Sequence, residues 1–143
     1  MTHARRVSAH EPVLERLVVV GLGLIGGSFA KGLRELGLCR AVVGYDPHAE
    51  SRRLAGERGG VDRCAETLEE ACRGAEVIQL AAPILAMEKL LEQLSRLELG
   101  EAVLTDVGSA KGNLVRCATR AFGAMPARFV PGHPIAGSER SGV

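Results

Sequence analysis

The stretch LVVVGLGLIGGS, residues 17–28, decides the fold of this chain. Four apolar residues, 17–20, predict a buried strand that runs directly into a glycine turn and then a helical pattern. Gly21 allows a sharp turn, Gly23 lets an anion approach the backbone, and Gly26 lets the helix pack close to the strand. The first N–H groups of such a helix attract an anion. This arrangement predicts a dinucleotide site, and the alternative is a glycine turn that only packs.

The predicted cofactor-binding residues of this turn are Gly21, Leu22, Gly23, Leu24, Ile25 and Gly26.

Composition narrows the function classes. Hydrophobic residues make up 46% of the 143, enough for one domain with a real core. The net charge of +1 and the 3% of aromatic residues give no sign of a nucleic-acid partner. No apolar run approaches the length of a membrane-spanning helix, and no signal peptide is evident. The four cysteines have no metal-ligand spacing, which predicts reduced thiols, no metal site and a cytoplasmic location.

Strand and helix patterns alternate along the chain after a polar segment, residues 1–15, that is predicted to be a flexible arm. Residues 16–143 are predicted to form one α/β domain of the Rossmann type, a doubly wound parallel sheet with helices on both faces. The expected strand order is 3-2-1-4-5-6. Strands are predicted at residues 16–20, 40–45, 61–64, 76–80, 102–105 and 128–130. Helices are predicted at residues 24–36, 49–58, 84–94 and 110–122, with a shorter one ending at 72.

Asp46 ends the second predicted strand, twenty positions after Gly26. An acid at this place can accept hydrogen bonds from the ribose hydroxyls of the adenosine, and it repels a 2′-phosphate. The sequence therefore predicts NAD rather than NADP, although Asp before Pro also forms turns. The nearby Arg52 and Arg53 could weaken that repulsion, or they could belong to a solvated helix face.

Three further stretches follow predicted strands at the edge where ligands of such sheets bind. Small residues at Ala81, Ala82 and Pro83 leave room for a cofactor, although a simple strand terminator would look the same. Ser109 could hydrogen-bond near a nicotinamide, and it could also cap the next helix. His133 can accept a proton near neutral pH, and it could equally be a structural loop residue.

Taken together, these stretches resemble the prephenate dehydrogenase family, including its arogenate-using relatives. The motifs are GLGLIGGSFAKGL (21–33), TDVGSAKG (105–112) and GHPIAGSERSGV (132–143), and the last two are specific in this order and spacing. The resemblance implies NAD-dependent oxidative decarboxylation of prephenate to 4-hydroxyphenylpyruvate in tyrosine biosynthesis. It implies that His133 is the catalytic histidine and that Ser109 orients it. It places Ser138 and Glu139 at the substrate pocket.

Members of this family continue into a helical domain that dimerises and contributes substrate contacts. The resemblance therefore implies that this chain is part of a longer, homodimeric enzyme and lacks the helical domain. Two alternatives remain from the residues themselves. One is another NAD-dependent hydroxy-acid dehydrogenase, and the other is a non-catalytic nucleotide-binding module.

Overall fold

A computed structural model describes residues 11–108 and 111–132, with the backbone alone at residue 111. Strands and helices alternate in the order expected. The strands are β1 Leu14–Val20, β2 Cys39–Tyr45, β3 Arg63–Cys64, β4 Val77–Leu80, β5 Val103–Asp106 and β6 Phe129–Val130. The helices are α1 Leu24–Glu35, α2 Ala49–Glu57, α3 Leu68–Cys72, α4 Ile84–Leu94 and α5 Lys111–Phe122.

The six strands form one parallel sheet in the order β3-β2-β1-β4-β5-β6, which confirms the predicted order. The order reverses direction at β1, which pairs with β2 on one side and β4 on the other. Val20, the last residue of β1, pairs with Tyr45 and with Leu80. The residues that follow all three strands therefore emerge side by side at one edge of the sheet.

The two faces of β1 carry separate halves of the core. Leu17 and Val19 are fully buried on the face that includes Ala30 of α1. Val18 and Val20 are buried on the opposite face, in the cluster that also includes residues of α4 and α5. Each such side chain contributes about 1.5–3 kcal/mol on burial. The strand that leads into the glycine turn is thus buried on both faces of the sheet.

The strand boundaries differ from the prediction by one or two residues, and at the two strands with the larger difference, β1 and β3, local hydrogen bonds accompany the change. β1 begins at Leu14 rather than residue 16, since the Leu14 N–H donates to the carbonyl of Leu38. β3 covers only two of the four residues expected. Beside it, the Asp62 carboxylate accepts the Val42 N–H at 2.7 Å, and the Asp62 N–H donates to the Val42 carbonyl. The Asp62 side chain therefore takes the place of part of the pairing predicted for the strand at residues 61–64.

Candidate functional site

Two glycines of the turn after β1, Gly21 and Gly26, lie in contacts that leave no space for a side chain. Gly21 has φ +97°, and its N–H donates to the Tyr45 carbonyl at 2.8 Å. A Cβ at Gly21 would lie 2.6 Å from the carbonyl carbon of Ala81. A Cβ at Gly26 would lie 2.1 Å from the carbonyl oxygen of Gly21. Both residues are therefore required by the close packing of α1 against the ends of β1 and β4.

Gly23 has a different environment, because a Cβ there would meet nothing within 4 Å. It is the N-cap residue of α1, and no side chain caps this helix end. No acidic residue lies in the first turn of α1 either. Uncapped N–H groups at the positive end of a helix dipole form a favourable place for a phosphate.

A groove of about 980 Å³ lies along this edge of the sheet. Eight of the ten predicted cofactor residues line it, namely Gly21, Gly23, Leu24, Ile25, Asp46, Ala81, Ala82 and Pro83. The structure therefore brings together residues from the ends of three different strands, as the strand order requires.

Leu22 and Gly26 were also predicted to bind the cofactor, but neither lines the groove. The Leu22 side chain is buried in the core beside Gly44. A Cβ added at Gly44 would lie 3.0 Å from the two Leu22 methyl carbons. Gly26 packs against the turn itself. In the structure both residues hold the turn in place, and their binding of the cofactor stays a prediction.

Asp46 is a buried carboxylate, 8% exposed, on the wall of the groove. Its Oδ2 accepts the Leu22 N–H at 3.0 Å, and its Oδ1 accepts the His48 N–H at 2.9 Å. A carboxylate oxygen can accept two hydrogen bonds, so both retain capacity towards a ligand in the groove. The backbone thus fixes the orientation of this acid before any ligand binds.

The two arginines of α2 are both bonded to other groups of the protein. Arg52 donates to the carbonyl of Asp46 at 2.7 Å and lies 3.7 Å from a carboxylate oxygen of Glu66. Arg53 bonds Glu50 at 2.9 Å and also pairs with Glu57, and it holds the pKa of Glu50 below its usual value. Neither arginine lines the groove, so the charge that faces it at the end of β2 is that of Asp46.

Asp106, at the end of β5, is a residue whose role the sequence did not single out. It is 2% exposed, and its two carboxylate oxygens contact two different loops. Oδ2 accepts the Gly108 N–H at 2.7 Å, and Oδ1 accepts the Gly132 N–H at 3.1 Å. The available signal was an acid directly after a buried strand, but its second partner is 26 residues away.

The remaining predicted site residues, Ser109, His133, Ser138 and Glu139, lie outside the described residues. Within residues 11–108 and 111–132, no group of three His, Cys, Asp or Glu side chains could hold a metal ion. All four cysteines are free thiols. In the same part of the chain, no helix has the length and apolar character needed to cross a bilayer.

Comparison with known proteins identifies the family. The family model for the prephenate dehydrogenase nucleotide-binding domain matches residues 29–143. This match begins after the glycine turn, so it depends on a part of the chain other than the turn. A prephenate dehydrogenase of Lactococcus lactis is 36% identical over 131 residues, which are 91% of this chain and 36% of that protein.

Solved structures agree with this assignment. A prephenate dehydrogenase from Aquifex aeolicus, in complex with hydroxyphenyl propionate and NAD+, has a TM-score of 0.78 at 36% identity. The alignment covers 90% of this chain and 44% of the Aquifex chain. An arogenate dehydrogenase from Synechocystis has a TM-score of 0.74 at 33% identity. The alignment covers 87% of this chain and 42% of the Synechocystis chain.

This chain spans about a third to a half of the length of these relatives. The family model matches residues 29–143, which include five of the six strands, β2 to β6. The chain therefore belongs to the family of prephenate dehydrogenase nucleotide-binding domains.

Proposed function

We propose that the groove binds NAD and that the protein containing this chain is an NAD-dependent prephenate dehydrogenase. The observation that carries the proposal is the groove itself, which joins an uncapped helix end to an oriented carboxylate. In this proposal the first N–H groups of α1 face the pyrophosphate. The spare acceptor sites of Asp46 take the ribose hydroxyls. The small residues Ala81 and Ala82 leave space for the rest of the cofactor.

The proposed reaction is the oxidative decarboxylation of prephenate to 4-hydroxyphenylpyruvate, a step in tyrosine biosynthesis. NAD, when bound, supplies the acceptor for the hydride that leaves the ring carbon bearing the hydroxyl. His133 accepts the proton of that hydroxyl as it becomes a carbonyl. The carboxylate on the ring leaves as carbon dioxide, and the electron pair of its bond to the ring moves through the ring to the carbonyl oxygen. That oxygen takes the proton back from His133 and becomes the hydroxyl of the aromatic product. Ser109 orients the histidine, and Ser138 and Glu139 contact the substrate.

The family and its relatives support this assignment over the two alternatives that the residues left open. The Aquifex relative was solved with NAD+ and a hydroxyphenyl compound, which has the ring of the proposed product. The proposal extends to a cytoplasmic homodimer. Its cytoplasmic part is supported by four cysteines that all remain free thiols.

The test has two stages. Calorimetric titration of the 143-residue chain with NAD and NADP should give binding of NAD and weaker binding of NADP. The product of the complete reading frame should then be assayed with prephenate and with arogenate, following absorbance at 340 nm. Reduction of NAD with prephenate supports the proposal, whereas turnover of arogenate alone changes the substrate. Binding of neither nucleotide contradicts the proposal.

A further inference from the structure

The ends of β5 and β6 lead into the two sequence motifs that carry the proposed catalytic residues. Gly108 directly precedes Ser109, and Gly132 directly precedes His133. Whatever holds Gly108 and Gly132 relative to each other therefore fixes the two points from which the chain continues to the proposed catalytic residues.

We propose that Asp106 is a positioning residue for the reaction, because its carboxylate ties the loop after β5 to the loop after β6. This inference rests on the function proposed above. Asp106 is 2% exposed, and it bonds the Gly108 N–H at 2.7 Å and the Gly132 N–H at 3.1 Å. Hydrogen bonds from backbone N–H groups to an ionised carboxylate are stronger than neutral ones. One rigid group thus connects both loops.

A second observation supports the same connection. A Cβ at Gly132 would lie 2.8 Å from the carbonyl oxygen of Asp106 and 3.3 Å from the hydroxyl of Thr105. The backbone after β6 therefore passes directly against the end of β5, at a distance that only glycine permits. The carboxylate bond and the close approach involve different atoms, and both bring the same two loops together.

Asp106 and Asp46 differ in their position relative to the groove. Asp46 lines the groove and is proposed to bind the cofactor with its own carboxylate, whereas Asp106 does not line it and only one of the two glycines that it bonds, Gly108, does. We therefore expect a change at Asp106 to affect turnover much more than nucleotide affinity. A shift of about 1 Å in a catalytic group can lower the rate by about 100-fold.

The central test is Asp106→Asn in the complete protein. The amide has the size of the carboxylate, but one oxygen becomes an NH2 group that would face an N–H donor. At most one of the two loop bonds can then remain. We expect kcat with prephenate to fall by up to about 100-fold, while the Kd for NAD changes far less. Gly132→Ala, which forces the same loops apart by a different contact, should show the same separation of kcat from Kd.

The matched control is Asp62→Asn, at the β3 side of the sheet. Asp62 also accepts a backbone N–H, that of Val42 at 2.7 Å, and it also pairs with Arg34. It does not line the groove. This variant should lower the free energy of unfolding and leave kcat unchanged. Equal losses of kcat in Asp62→Asn and Asp106→Asn would overturn the inference, since they would indicate general destabilisation.

A double variant separates positioning from structure. If Asp106 acts through His133, adding Asp106→Asn to His133→Asn should cost little further activity. Additive losses would overturn the inference. If His133→Asn alone keeps normal kcat, the proposed role of His133 fails and the inference about Asp106 fails with it, whereas the proposed function itself fails only if the wild-type protein does not turn over prephenate. If His133→Asn is impaired and Asp106→Asn is normal, only the role of Asp106 fails.

The wild-type protein provides a measurement that does not depend on any variant folding. The amide hydrogens of Gly108 and Gly132 should exchange slowly with solvent, because both donate to a buried carboxylate. Exchange of either amide at the rate of an exposed loop would overturn the inference.

Discussion

Replacing Gly26 with alanine tests the geometry on which the nucleotide site depends. The added Cβ would lie 2.1 Å from the carbonyl oxygen of Gly21 and 3.0 Å from both Ala81 Cβ and Val19 Cγ1. The first distance is at least about 1.2 Å shorter than ordinary carbon–oxygen contacts of about 3.3–3.6 Å. Because the opposing atom belongs to the backbone, the start of α1 must move away from the turn.

The expected cost is near the upper end of the range for overpacking, about 1–3 kcal/mol in the free energy of unfolding. Gly32→Ala, in the same helix, is the matched control, since a Cβ there would meet nothing within 4 Å. Alanine is favoured over glycine in a helix interior by about 0.5–1 kcal/mol, so this variant should be more stable than the wild type.

Urea denaturation of the wild type and both variants measures the stability difference, and calorimetry with NAD measures the effect on the site. Gly26→Ala should lose both stability and affinity, because the moved helix end no longer presents its N–H groups correctly. Gly32→Ala should bind NAD normally. The reasoning is refuted if Gly26→Ala gains stability as Gly32→Ala does, or if it binds NAD as the wild type does.

Four further predictions concern the groove, the reaction and the thiols. Asp46→Ser should narrow the preference for NAD over NADP, measured as the ratio of the two Kd values; an unchanged ratio would mean that Asp46 does not set it. His133→Asn in the complete protein should lower kcat by about 10²–10⁴-fold and remove the loss of activity at low pH, where the imidazole of the wild type is protonated. Because this chain covers 36% of the Lactococcus relative and 44% of the Aquifex relative, we expect it by itself to bind NAD weakly and to turn over no prephenate, and measurable NADH production by it would contradict this expectation. Burial raises the pKa of Cys72 from its ordinary 9.0 to about 11, so iodoacetamide at pH 8 should modify half-buried Cys117 much faster. Because the folded state holds the Cys72 proton more tightly, the contribution of this thiol to stability should be lost as the pH rises from about 9 to 11.

Local patterns were sufficient to predict the order of elements and most of the nucleotide groove. The apolar run 17–20 and the glycine turn are short-range signals, and alternating strands and helices permit few sheet topologies. The position of Asp46 at the groove could be predicted because its distance from Gly26 along the chain follows from one βαβ unit, and its binding of the cofactor stays a prediction. The same patterns could not distinguish residues that line the groove from residues that only hold it. Leu22 and Gly26 belong to the second group.

The sequence by itself determined the fold class, the place of the site and its family. The tertiary structure decided which polar groups meet across the sheet. The Asp106 carboxylate joins Gly108 to Gly132, and Gly132 lies 26 residues beyond the aspartate along the chain. Such pairings depend on strand register and on loops meeting at the same edge, and neither is encoded in the spacing of residues within one element.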